Sequence, residues 1–167
     1  MIRKKKLYSR PMKPFESSRI LEENELVKKY GLKNKKEVWR ALAKINYFRK
    51  RAMALARGKD EEQIIFLNKL KGIGLKVDST ADVLGLKVED LLRRRLPSIV
   101  AEKKIANTVK HARQMVVHKK ILVDKNIVSS PSYIVPVSLE GEIGVKEKKA
   151  KQKVEEKAAE AAGGAAQ

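Results

Sequence analysis

The sequence contains no cysteine. Disulfides and thiolate-held zinc are therefore excluded, since both need sulfur. Histidine is nearly as scarce. His111 and His118 are the two imidazoles, and without further ligands nearby they read as side chains facing solvent or a partner, not a metal. No apolar run approaches the roughly 20 residues that a bilayer span requires. The opening stretch MIRKKKLYSRP has no apolar secretory core, so a cytosolic protein is expected. Gly72-Ile73-Gly74 reads as a break between helices, and no phosphate-loop glycine pattern occurs elsewhere. The acids are scattered, and neither histidine has a nucleophile partner. No enzyme is expected from such a set.

What the chain does have is positive charge. Lys and Arg number 39 against 20 Asp and Glu, a formal net charge of +19 over 167 residues. Like charges repel in a compact state. The excess makes physical sense where a polyanion neutralises it, and nucleic acid is the leading candidate, with an anionic membrane surface as the rival. The length allows one ordinary domain or two small lobes.

Met1 to Ile20 is basic and carries Pro11 and Pro14. This predicts an extended arm that orders on RNA, with Tyr8 and Phe15 as stacking or anchoring groups. A short helix is predicted over Ile20 to Tyr30, with Glu22, Glu23 and Glu25 early, Lys28 and Lys29 late, and Gly31 as its end. A second helix is predicted from Lys35 to Arg57. Val38, Leu42, Ile45, Phe48, Ala52 and Leu55 form its apolar stripe, and Trp39 flanks it as a core residue. Lys36, Arg40, Lys44, Arg49, Lys50, Arg51 and Arg57 fall mostly off the stripe. Asp60 to Lys71 reads as a third helix burying Ile64, Leu67 and Leu70, with Ile65 or Phe66 covering a neighbour, ended by Gly72 and Gly74. Ser79 and Asp82 form a capping box for a short helix ending at Gly85. Val88 to Leu96 reads as another short helix, which Pro97 ends.

The stretch from Leu92 to Val135 is the most telling. A basic cluster, LRRRLP, precedes a basic amphipathic helix, KIANTVKHARQMV. Asn107 is its predicted N-cap, and Val109, Ala112 and Val116 share its inner face. The period then shortens to two. Ile121 and Val123 alternate, Asp124-Lys125-Asn126 turns, and Ile127-Val128 returns, with Lys125 or Asn126 left-handed at the turn. Pro131 fixes the exit and Tyr133 packs or stacks beside it. A positive helix face beside a hairpin suits a folded nucleic acid, because the arginine fork matches phosphates and stacks on bases. From Lys146 the chain becomes rich in Lys, Glu and Ala, which favours helix locally but offers little to hold it to a core, so a protruding, mobile or partner-dependent segment is expected.

Leu91 to Pro97, Ala112 to Val116, His118, Ile121, Val123 and Pro131 to Val135 together resemble the RNA-binding domain named after the fourth protein of the small ribosomal subunit. That domain also occurs in pseudouridine synthases, tyrosyl-tRNA synthetases and heat-shock RNA binders. Leu26 to Arg40 and Asp82 to Asp90 resemble the archaeal and eukaryotic form of the ribosomal family itself. The family hairpin often has glycine before its first strand and Asn-Gly in its turn. Here Lys119-Lys120 and Asp124-Lys125 stand in those places. The cysteines by which some bacterial members hold zinc are absent.

The resemblance implies an α+β fold. A basic arm and helical lobe (1–91) joins a small helix-plus-hairpin RNA-binding domain (92–145), followed by a tail (146–167), with extended termini. It implies a structural protein that binds small-subunit ribosomal RNA, nucleates assembly of the 5′ domain, and lies where messenger RNA enters, beside the fifth small-subunit protein, bearing on translational accuracy. A ribosome-bound, cytoplasmic location follows, with no membrane partner. No cofactor or protein-bound zinc is expected, and Mg2+ only through the RNA. The alternative is a stand-alone RNA chaperone or an RNA-modification accessory protein. The candidate RNA-binding residues are Arg3, Lys4, Lys5, Lys6 and Arg10 in the arm; Lys36, Arg40, Lys44, Arg49 and Arg51 in the helical lobe; and Arg93, Arg94, Arg95, Lys103, Lys104, Lys110, Arg113, Gln114, His118, Lys119 and Lys120 in the domain.

Overall fold

The computed structural model describes residues 6–146. Its first half is helical. Helix α1 (Ser17–Lys29) starts three residues before the predicted Ile20. Glu22 and Glu23 therefore fall beyond its first turn, and Glu23 is buried instead of sitting at the positive end. Gly31 ends the helix with φ 56°, as expected, and Leu32 N–H closes back on Val27 O at 3.0 Å.

Helix α2 (Lys35–Leu55) buries Val38, Ala41, Ile45, Phe48, Ala52 and Leu55. Ala41 takes the place assigned to Leu42, which is 42% exposed. Ala41 lines the same pocket as Leu91 and Leu92, on the side of the helix that faces the elements that follow. Helix α3 (Asp60–Ile73) buries Phe66 and Leu70. Ile64 and Ile65 are 57% and 68% exposed, so the predicted inner face is turned. Gly72 lies within α3; only Gly74, at φ 89°, ends it.

Helix α4 (Thr80–Gly85) carries the predicted capping box: Asp82 N–H donates to Ser79 Oγ at 3.2 Å, and Ser79 N–H to Asp82 Oδ2 at 2.8 Å. Helix α5 (Val88–Arg93) is shorter than expected, because Pro97 opens a helix instead of ending one. It occupies the first turn of α6 (Leu96–Glu102), where proline's missing N–H removes no helical bond.

In the second half, α6 packs on α7 (Val109–Val117). The cap is Thr108, not Asn107: its Oγ1 accepts from His111 N–H at 3.1 Å. Ala112 and Val116 are fully buried on the inner face. Three antiparallel strands follow, β1 (Ile121–Val123), β2 (Asn126–Ile127) and β3 (Ile143–Val145), in the order β2-β1-β3. The third strand was not expected. The turn between β1 and β2 has Asp124 at φ 48° and Lys125 at φ 61°. Lys125 is left-handed as predicted, but its companion is Asp124, and Asn126 belongs to the strand.

Two buried clusters organise the molecule. One runs from Tyr30 to Leu92, the other from Leu96 to Ile143. Segment 133–135 joins them. Leu96 N–H donates to Tyr133 O at 2.9 Å, and Val135 N–H to Arg94 O at 3.0 Å. The extended backbone there alternates its side chains: Ile134 packs on the helical cluster, Tyr133 and Val135 on the other.

Candidate nucleic-acid interface

The three consecutive arginines divide at this joint. Arg93 is exposed. Arg94 turns inward and donates from Nε to Ile73 O at 3.0 Å, from Nη2 to Val135 O at 3.0 Å and from Nη1 to Glu140 Oε2 at 2.8 Å. Gly74 makes this fit: a Cβ there would lie 2.5 Å from Arg94 Nε. Arg95, only 7% exposed, donates to Glu37 Oε2 at 2.6 Å and to Ser132 Oγ at 3.2 Å.

Arg113 completes the brace from α7. Its two terminal nitrogens reach Glu37 Oε2 at 3.1 Å and Oε1 at 2.8 Å. One carboxylate from the helical lobe is thus held by arginines from α7 and the start of the second lobe. Burial works against the charge on Glu37, but hydrogen bonds from Arg113 and Arg95 prevail and bring its pKa down to about 2. The sequence had put Arg94, Arg95 and Arg113 with the RNA-facing cations. In the structure their guanidiniums are committed to carboxylates and carbonyls of the protein, because the joint between lobes must satisfy its own polar groups. Glu37 was missed. Its partner Arg113 is 76 residues away, and no local pattern announces such a pair. Arg49 is also half-buried, donating to Leu86 O at 2.7 Å, and Lys103 donates to Glu140 O.

The other candidates lie at the surface. Lys6, Arg10, Lys36, Arg40, Lys44, Arg51, Arg93, Lys104, Lys110, Lys119 and Lys120 are exposed, and none pairs with a carboxylate among the described residues. Gln114 and His118 are exposed as well. Lys110 and Gln114 on α7 and His118 at its C-cap follow at steps of four, so they form one outward ridge opposite Ala112 and Val116. On α2, Arg40 sits over the Tyr8 ring at 5.7 Å, Lys44 over Phe48 at 5.9 Å, and Arg51 over Phe66 at 5.8 Å. Partial desolvation of the Lys44 ammonium pushes its pKa down.

The described part of the arm is anchored on the protein. Tyr8 lies 6.2 Å from Trp39, ring to ring, and Arg19 donates to Lys13 O and Pro14 O at 2.9 and 3.0 Å. Phe15 is exposed. Trp39 is half-buried, not a core residue; its indole N–H donates to Glu23 Oε1 at 2.9 Å. Arg3, Lys4, Lys5 and the tail beyond Lys146 lie outside the described residues. Among the described residues, no group of three or more His, Cys, Asp or Glu could hold a metal ion, and no helix is long and apolar enough to cross a membrane.

The family model of the S4 domain matches residues 94–140. A small ribosomal subunit protein uS4 from Methanothermobacter thermautotrophicus is 44% identical over 146 residues, covering 84% of this chain and 85% of that protein. The chain belongs to the uS4 family. The uS4 protein of Methanococcus aeolicus is also 44% identical, over 79% of this chain and 78% of its own. That of Halobacterium salinarum is 40% identical over 85% of each. Within this chain the S4 match begins at Arg94, inside the joint. It takes in α6, α7 and the β1–β2 hairpin, and leaves α1 to α5 and β3 outside.

Proposed function

We propose that this uS4-family chain is a structural component of the small ribosomal subunit, bound directly to its ribosomal RNA. The observation that carries this is the set of exposed, carboxylate-free cations on both lobes of a +19 chain. Cations on α2 and on the α7 side cancel phosphate repulsion where RNA helices approach one another. The Glu37 brace keeps the two cationic surfaces at one angle, so RNA conformations matching that angle are favoured by differential affinity. The binding face comprises the arm, including Arg3, Lys4 and Lys5, with Lys36, Arg40, Lys44 and Arg51 on the helical lobe and Lys110, Gln114, His118, Lys119 and Lys120 on the second.

The finer reading follows the family resemblance. The RNA target is a multi-helix junction of the 5′ domain, whose assembly the protein nucleates. The site faces the channel by which messenger RNA enters, beside the fifth small-subunit protein, in the cytoplasm. The protein acts by holding RNA geometry, without catalysis. The work divides between a helical lobe (1–91) and an RNA-binding domain (92–145).

Chemical footprinting of small-subunit RNA with the purified chain tests this. Protection is expected at one junction of the 5′ domain. Weak, uniform protection of any RNA would overturn the specific reading.

A further inference from the structure

Four residues other than glycine have positive φ among the described residues: Lys104 and Lys119 at 57°, Asp124 at 48° and Lys125 at 61°. All lie in the second lobe, and three are lysines. Lys104 and Lys119 occupy the same place in two helix ends, one residue past the C-cap. Behind α6, Lys104 N–H donates to Ala101 O at 3.0 Å and Ile105 N–H to Val100 O at 3.2 Å; behind α7, Lys119 N–H donates to Val116 O at 3.0 Å and Lys120 N–H to Met115 O at 3.0 Å. This doubly bonded ending is the one in which glycine is favoured, because a Cβ is penalised there. Lys125 takes the second position of a tight hairpin turn, where glycine again fits best.

Asp124 has a short polar side chain suited to the left-handed region. Lysine has no such compensation. The three side chains are exposed, and their ammonium groups make no hydrogen bond or ion pair with any described group. Glycine would serve the backbone path better at all three positions. What lysine adds is a charge, carried on backbone that the helix endings and the turn hold in place. Lys119 and Lys125 flank β1 at its two ends, and Lys104 stands just ahead of the Thr108 cap of α7.

We propose that Lys104, Lys119 and Lys125 are RNA-phosphate contacts retained in strained backbone, each exchanging folding stability for a positioned charge. This rests on the ribosomal RNA-binding reading and names part of its contact set. The full chain is compared with Lys104→Gly, Lys119→Gly and Lys125→Gly, and with the corresponding arginine variants, which keep both strain and charge. Asparagine variants, which tolerate the conformation without added flexibility, separate lost charge from a loosened chain.

Urea unfolding and binding to transcribed 5′-domain RNA at several salt concentrations are the measurements. Each glycine or asparagine variant is expected to unfold at higher urea and to bind more weakly. Its slope of log affinity against log salt should shrink by about one. Arginine variants should match the parent in both. A glycine variant that gains stability while keeping affinity and salt slope would show that the lysine touches no phosphate. Unchanged urea midpoints in the glycine variants would remove the exchange itself. A parent chain that fails to bind the RNA at any salt would sink the binding reading first, and this inference with it.

Discussion

Gly74 and Arg94 are fitted to each other. The glycine supplies a φ of 89° and leaves the space that the guanidinium occupies. Gly74→Ala adds a left-handed penalty of about 1–2 kcal/mol and forces Arg94 off its partners. We expect a loss of about 2 kcal/mol or more in urea unfolding; a change within about 0.5 kcal/mol would mean that Arg94 relocates freely. Glu37 invites a pH test. Its folded pKa, about 2, lies below the ordinary 4.5. The carboxylate therefore contributes stability that is fully present above pH 4.5 and lost as pH falls toward 2. Linkage puts the contribution on the order of 3 kcal/mol. Glu37→Gln should thus be clearly destabilised at pH 7, with the gap to the parent closing below pH 4.5. A gap constant across that range would refute the ion-pair account. Arg113→Glu removes one of the two guanidiniums that hold Glu37. Facing Glu37, the new carboxylate should destabilise the fold, as a lowered melting temperature.

Elements were legible where their signals were local. The Ser79 and Asp82 capping box needs only residues three apart, and it formed as read. Ser79→Ala should cost about 1 kcal/mol and raise hydrogen exchange first in α4; exchange unchanged there would show that packing on α2 alone holds it. The start of α6 was misread because proline both stops and opens helices, and the choice depended on Leu96, Ile99 and Val100 having a core to enter. Strand β3 was missed because three residues, Ile143 to Val145, are too few to establish a period. Ala41 displaced Leu42, and Phe66 displaced Ile64, because each helix turned its stripe toward neighbours that a single-helix pattern does not specify.

The whole molecule presents exposed cations on two lobes whose joint consumes three arginines. The cations left at the surface should act through phosphates, not through the fold. Lys110→Glu and Lys120→Glu are expected to leave the melting temperature nearly unchanged while weakening RNA binding and lowering its salt dependence. Equal affinity at moderate salt would move the interface to another face. Net charge, the missing sulfur chemistry, the amphipathic α7 and the family resemblance were all in the linear chain, because composition and short-range periodicity are properties of neighbours in sequence. Which arginines face outward was not. Arg93, Arg94 and Arg95 are chemically identical, and they separate only when Glu37, Ile73, Ser132, Val135 and Glu140 arrive from distant parts of the chain. Burial makes those partners obligatory, since a charge removed from water must be paired. Tertiary structure therefore decided which cations remained for an external polyanion.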